Sequence, residues 1–437
     1  MSKPSADSIS TSGAATGLLS TDGDSVALSQ VPSDSSSDSF VVATENRPPE
    51  TPSADHRSVL MRIVSRITGW VRGLFALISL IVGLAVLAAL PVLQLITFGY
   101  LLDVAGRLAS GGTLRHSLPH LTSAGKIGLV VVAVVVGSLP VQLLAHWESV
   151  ASLITPGSNQ AELLRFTAIA AAMLGVVYLL WAISRGGRLV HFLWPAPMSM
   201  LSKAWRPSTY RDLPDRLWQF TGSLELGRYL WLGARGAGGT LIWLIPAMII
   251  IAANRGGETG LAGLVGVIAL LALGLVMFYL PMLQVHFASE NRLSALFEWR
   301  RVRRLFCYAP WAWFCAMALG MVLLPIPLYL LKIEATPREV VWLPTLVFVA
   351  FILPARLAEG LAMRRAKRIA LQYGDGSVKP AGKWKALSRG FARFMLLGVV
   401  GIYLAFLTLS QYTSWDGLQT WVQQHAVLIP IPFLSGV

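Results

Sequence analysis

The residues whose types and spacing could do chemistry are few and scattered. His116 and His120 stand at i, i+4, a spacing that can place two imidazoles on one helix face as metal ligands. Pro119 between them and Gly111-Gly112 before them favour a loop instead, and no third ligand stands nearby. Asp212 and Asp215, flanked by Arg211 and Arg216, form the close acidic pair that could suggest general acid–base work. Pro214 between them fits the first turn of a helix, where the macrodipole stabilises acidic side chains, and that structural role is the one expected. His146-Trp147-Glu148 begins like the deaminase HxE but no PCxxC follows, so His146 reads as an interfacial histidine. From Gly376 to Gly382-Lys383 there are five intervening residues where a phosphate loop needs four, and Trp384 replaces its Ser or Thr. No GxSxG elbow and no HExxH pair occurs. Cys307 and Cys315 fit neither a disulfide framework nor a CxxC site and read as apolar filler. Neither a catalytic residue, a cofactor nor a metal is indicated, and a non-enzymatic chain is expected.

The elements that would position any such groups are apolar. Of 437 residues, 54% are hydrophobic and 13% charged, against roughly 25% charged in ordinary globular domains. Runs of about 20 apolar residues match a hydrocarbon core of roughly 30 Å. Eight candidates extend from Gly73 to Leu102, Ile127 to His146, Leu163 to Ile183, Gly236 to Ala253, Leu261 to Phe287, Trp311 to Leu331, Val340 to Leu353 and Phe394 to Tyr412. None carries an acidic or basic residue near its middle, which argues against proton coupling. The expected fold is all-α: a polytopic transmembrane helix bundle with seven full spans and a re-entrant or spanning first segment.

Orientation follows from Lys and Arg, which concentrate on the cytoplasmic side. Residues 184–235 hold eight basic and three acidic residues, 288–308 five and two, and 355–393 ten and two. These connections are expected inside, as is 103–126, with three and one. Together they carry a net +18 of a chain total of +14, so the basic excess is a topology signal rather than a nucleic-acid footprint. Arg57, Arg62, Arg66 and Arg72 ahead of the first segment also read as cytoplasmic. Both flanks of one crossing cannot be inside. Either the segment enters and leaves on one side with Pro91 near its turn, the reading favoured here, or it spans and the tail is exported.

Residues 1–55 are rich in Ser and Asp, with eight acidic and two basic residues, and are expected to be a disordered tail without a signal-peptide h-region. Residues 56–72 read as a basic amphipathic interfacial helix, with Leu60, Ile63, Val64, Ile67 and Val71 on one arc and Arg62 and Arg66 on the other. The transmembrane helical domain is then 73–412, and 413–437 an extracytoplasmic tail. A second amphipathic stretch sets Trp299, Val302, Leu305 and Phe306 against Arg300, Arg301, Arg303 and Arg304. These four arginines are expected to face anionic lipid headgroups, at about 1 kcal/mol each, because Trp299 and Phe306 need an apolar environment. Trp194, Trp205, Tyr210, Trp218 and Phe220 among arginines fit a membrane-interface belt better than a base-stacking surface.

Prolines at 91, 140, 246, 281, 325, 327, 344 and 354 predict kinked helices. Ala168, Ala172 and Gly175, and Gly233, Gly236 and Gly239, predict close helix packing. Leu90-Pro91-Val92-Leu93-Gln94 returns as Leu280-Pro281-Met282-Leu283-Gln284, an echo that chance explains at least as well as duplication. At Gly99-Tyr100-Leu101-Leu102-Asp103-Val104-Ala105-Gly106-Arg107, after an apolar run with a proline, the chain resembles an uncharacterised family of multi-spanning bacterial membrane proteins. The stretch Tyr279 to Phe306, with Ser289-Glu290-Asn291-Arg292, is similar to that family's second half. The resemblance covers much of 73–331, implies a bacterial cytoplasmic membrane, and carries over no functional residue. The expected partners are a bilayer with anionic headgroups and other membrane proteins, with no nucleic acid. A non-enzymatic component organising envelope partners is expected, with a transporter for an apolar or lipid-like substrate as the alternative. A polar cavity lined by Gln94, Gln142 and Gln284 would favour transport; a filled core would favour the structural role.

Overall fold

Among the described residues of the computed structural model (53–154, 156–186, 191–192, 194, 198–199, 202, 211, 213–246, 248–249, 260–323, 342–373 and 382–413), every regular element is helical and none is a strand. Nearly all of the expected N-terminal tail, 1–52, and the C-terminal stretch 414–437 lie outside them.

Helix α1 (Ser53–Ala89) runs on without a break through residues 72 and 73, where an interfacial helix was expected to give way to the first apolar segment. At Leu90–Leu93 the helix stops. Pro91 cannot donate a backbone hydrogen bond, and Val92 takes φ +68°, a left-handed conformation that a β-branched residue rarely adopts. Helix α2 (Gln94–Ala109) then folds back, because Thr97 Oγ1 donates to Leu84 O at 2.9 Å. In one continuous helix those residues would stand roughly 20 Å apart. The first apolar segment is thus two helices reversing at Pro91. The echoing Pro281 instead sits inside an uninterrupted helix.

Helix α2 is enclosed: all but two of its sixteen residues are buried. A helix apolar on every face belongs at the centre of a bundle, and three neighbours surround it: α7 (Leu226–Trp243), α8 (Gly260–Glu290) and α11 (Trp342–Tyr373). Close approach depends on missing side chains. A Cβ on Gly99 would overlap the Tyr229 carbonyl, one on Gly106 would come within 2.7 Å of the Ala288 backbone, and one on Gly360 within 2.8 Å of the Ala105 carbonyl. Gly233, Gly236 and Gly239 of α7 likewise leave no room for a side chain, as expected; at Gly175 a Cβ would meet nothing within 4 Å.

Between α2 and α7 lie the single turn α3 (Leu114–Ser117), the paired helices α4 (Leu121–Ile154) and α5 (Asn159–Ser184), and α6 (Leu213–Ser223). Ser158 caps α5 by accepting from the Ala161 N–H at 3.3 Å. After α8, a 3₁₀ turn (Leu293–Phe297) leads to α9 (Trp299–Tyr308) and α10 (Pro310–Met317), which continues as a π turn, Ala318–Leu323. Helix α12 is Lys383–Thr413. By length and composition six described helices can cross a membrane, including Met61–Ala89, and a seventh arises if α9 and α10, bent by 109°, form one span.

Two expected segments are displaced. The fourth, Gly236 to Ala253, begins ten residues earlier as α7 and pauses at Leu244. The seventh, ending at Leu353, continues twenty residues further through Pro354 in α11. Both extensions run into stretches that charge counting had assigned to connections.

Candidate functional site

Helix α9 carries the four arginines expected at headgroups, and all four are exposed. Their opposite face does not need lipid. Val302, Leu305 and Phe306 are buried in the protein core, where Phe306 meets Trp313 edge-on at 5.5 Å and Phe278 at 5.8 Å. The premise that Phe306 must seek the bilayer is therefore replaced: protein supplies the apolar environment and the arginines are left facing outward. Arg300 stacks over Trp299 at 5.7 Å. Arg301 is committed to protein, 3.4 Å from Glu298 and 3.9 Å from Glu290. Arg303 and Arg304 make no ion pair among the described residues.

A denser charged cluster forms where α2, α7 and α8 end together. Asp103, with its side chain only 7% exposed, accepts from Arg107 Nε at 2.5 Å and from Arg228 Nη2 at 2.6 Å. Arg228 also donates to Glu225 at 2.7 Å, and that bond holds the Glu225 carboxyl below its ordinary range. Tyr100 donates to Pro119 O, and His120 Nε2 meets the Tyr229 hydroxyl at 3.0 Å. At the C-terminal end of α8, His286 Nε2 lies 3.0 Å from Glu298 Oε2; since a carboxylate only accepts, the imidazole nitrogen carries the proton. This hydrogen bond is the leading reason that Glu298 titrates below its usual range, with Arg301 adding to it. Lys367 donates to Ser289 Oγ at 2.9 Å and pairs with Glu290 at 3.5 Å, while Arg235 Nη2 donates to Asn291 Oδ1 at 2.6 Å. Every residue of Ser289-Glu290-Asn291-Arg292 thus has a partner, Arg292 pairing with Glu298 at 3.4 Å.

Deeper in the bundle, Arg356 and Glu359 of α11 are 2% and 4% exposed and pair at 2.9 Å. Arg356 lies 5.9 Å from the Phe98 ring centre. The π turn brings Gly320 to face the carboxylate, where a Cβ would stand 3.4 Å from Glu359 Oε1. An ion pair lies within a helix long and apolar enough to cross a membrane, so the expectation that no span holds a charge near its middle is corrected. Sequence counting assigned both residues to the loop 355–393. The signal was there: they stand at i, i+3 inside Ala355-Arg356-Leu357-Ala358-Glu359-Gly360-Leu361-Ala362-Met363, whose apolar residues continue the helical period.

The other candidates are not brought together. His116 bonds Thr113 and His120 bonds Tyr229, on separate sides of Pro119. Asp215 sits in the first turn of α6, as expected, and Asp212 lies outside the described residues, as does most of Gly376–Gly382. His146 is exposed on α4. Gln284 is buried and donates to Thr240 Oγ1 at 2.8 Å, Gln94 is buried at the start of α2, and Gln142 is exposed, donating to Ser138. Gln142, exposed on α4, is not enclosed with the other two.

A bundle of long apolar helices around a buried central helix, its charges clustered toward helix ends apart from the buried Arg356–Glu359 pair, defines a multi-pass membrane protein. Residues 210–333 match a family model described as a protein of unknown function (DUF4013). The match takes in α6 to α10 and the Tyr279–Phe306 stretch, and does not reach Gly99–Arg107. No curated protein and no solved structure matches the chain.

Proposed function

We propose that this protein is a non-enzymatic membrane component that assembles with partner proteins in the bilayer. The observation that supports this most is the α4–α5 pair. These helices pack on each other, yet α4 has no buried residue and α5 only three. Their exposed surface is not purely apolar. Gln142 lies within the apolar run, exposed, with one amide donor used on Ser138, and an amide has two donors and two acceptor lone pairs. Amides facing hydrocarbon are unfavourable, and a second helix offering hydrogen bonds relieves that cost. His146 follows one turn later on the same side.

Charge puts 103–126, 184–235, 288–308 and 364–393 in the cytoplasm in this reading, with Arg356 and Glu359 left at membrane depth, and the reversal at Pro91 lets Arg57, Arg62, Arg66 and Arg72 in the first part of α1 stay on that side too. Arg300, Arg303 and Arg304 then face the anionic inner leaflet, with Arg301 shared between that surface and Glu298. Among the described residues the buried Arg356 and Glu359 pair with each other and Asp103 with two arginines, which suits a structural role. Transport is the second reading, favoured by Arg356 and Glu359 at membrane depth.

The test compares the protein and lipid content of envelopes from a deletion strain with those of strains carrying the native protein or Gln142→Leu. Loss of the same membrane proteins in the deletion and Gln142→Leu strains is the expected result. Unchanged envelope protein content in both refutes the assembly reading.

A further inference from the structure

We infer that a groove between α10 and α11 binds one acyl chain of an anionic phospholipid, with Arg365 holding the phosphate. The groove is a cavity of about 280 Å³ open to the outside of the bundle. Ala312, Cys315 and Ala316 of α10 face Ala358, Ala362 and Arg365 of α11, and Leu319 of the π turn and Leu361 complete the lining. On both sides the lining residues recur at i, i+3, i+4 and i+7, so two single-turn-spaced helix faces of mostly small side chains leave a trough between them. Its volume falls just below the roughly 300 Å³ at which pockets for small molecules begin. That is room for part of one chain rather than for a whole lipid.

The two helices run antiparallel here: the position of a Gly320 Cβ lies 3.6 Å from Ala355, whereas residues 312–319, which precede Gly320, share the cavity with 358–365, which follow Ala355. Arg365 therefore marks the end of the groove where α10 begins, beside the bend into the arginine-bearing α9, which packs on α11. It is also a cation that its neighbours leave over, as is Arg368, which does not line the groove. Arg364 donates to Gly112 O at 3.1 Å and Lys367 to Ser289 and Glu290, whereas Arg365 is exposed and has no ion pair among the described residues.

Charge complementarity chooses the occupant. A guanidinium presents a planar fork that matches two phosphate oxygens, and in a bilayer the molecule that joins a phosphate to an apolar chain is a phospholipid. The chain fills the trough among alanines, leaving the headgroup at the basic end. A zwitterionic lipid offers the same chain but its own cation offsets the attraction, so anionic lipid is preferred.

The full chain in phosphatidylcholine nanodiscs, doped with phosphatidylglycerol carrying a photoactivatable diazirine in one acyl chain, tests this. Adducts mapped by peptide mass spectrometry are expected at 312–319 and 358–365. Labelling there should exceed that from a diazirine phosphatidylcholine by about fivefold, the factor expected of one basic residue near an anionic surface. Arg365→Gln should bring the two probes level, and Arg365→Lys should keep the preference; the position is exposed, so neither change burdens folding. Ala358→Phe, which fills the trough, should remove labelling by both probes. Equal labelling by the two probes, an unaltered preference in Arg365→Gln, or adducts as dense on exposed α5 as in the groove would each overturn the proposal.

Discussion

Gly99 of α2 and Gly233 of α7 cross with their backbones in contact: a Cβ on Gly99 would stand 2.8 Å from the Gly233 nitrogen, and one on Gly233 3.0 Å from the Gly99 nitrogen. Backbone cannot move aside as a flexible side chain can. Gly99→Ala and Gly233→Ala are each expected to destabilise the protein by about 1–3 kcal/mol or more through overpacking. Gly238, on the same helix with nothing within 4 Å of its Cβ position, is the control. There the alanine should gain about 0.5–1 kcal/mol from helix propensity alone. Thermal unfolding in detergent checks all three.

Removing one member of the Arg356–Glu359 pair leaves the other charged and enclosed. Glu359→Ala should therefore cost about 3–5 kcal/mol, while Arg356→Met combined with Glu359→Leu should come close to the parent. Denaturation of the single and double variants separates these outcomes. A double variant that is stable but abolishes function would mark the pair as more than structural.

Asp103 holds two arginines, so the loss of one is buffered by the other. Arg107→Gln or Arg228→Gln alone should cost about 1 kcal/mol. The double variant should cost more than the sum, because a buried carboxylate then has no counter-charge. A double-mutant cycle on Asp103's two partners measures that coupling.

Glu298 supplies a pH dependence with a definite sign. Its carboxyl titrates below the ordinary value of 4.5 because His286 and Arg301 bond its charged form. A depressed folded pKa means that the stabilisation is complete above the unfolded value and is lost as pH falls through the folded one. The stability gap between the parent and Glu298→Gln should be full at pH 7, start to shrink below about 4.5, and close at lower pH. Unfolding curves of both proteins over that range check it.

Reversal at Pro91 predicts that residues 50 and 112 share a compartment. Reporter fusions at the two positions should both report cytoplasm. An exported residue 50 with a cytoplasmic residue 112 would remove the orientation proposed for α1.

The sequence by itself determined the helical class, the membrane as solvent and the approximate place of the helices. Those follow from properties local to each stretch: about twenty apolar residues cannot remain in water, and in lipid the backbone must satisfy its own hydrogen bonds. What each helix touches was decided by the tertiary structure. Two nearly identical pentads show the difference. Leu90-Pro91-Val92-Leu93-Gln94 ends a helix at a left-handed Val92, whereas Leu280-Pro281-Met282-Leu283-Gln284 passes through α8 unbroken. Proline only removes a donor, and whether the chain turns there depends on what packs around it. Gly233, Gly236 and Gly239 announced close packing of α7, but not that the helix Gly233 and Gly236 pack on, α2, would be enclosed by three helices. Arg356 and Glu359 counted as loop charges because charge marks a cytoplasmic connection only when water reaches it. Their burial came from α2 and the π turn of α10, supplied by segments tens to hundreds of residues away, and only the assembled bundle could exclude the water.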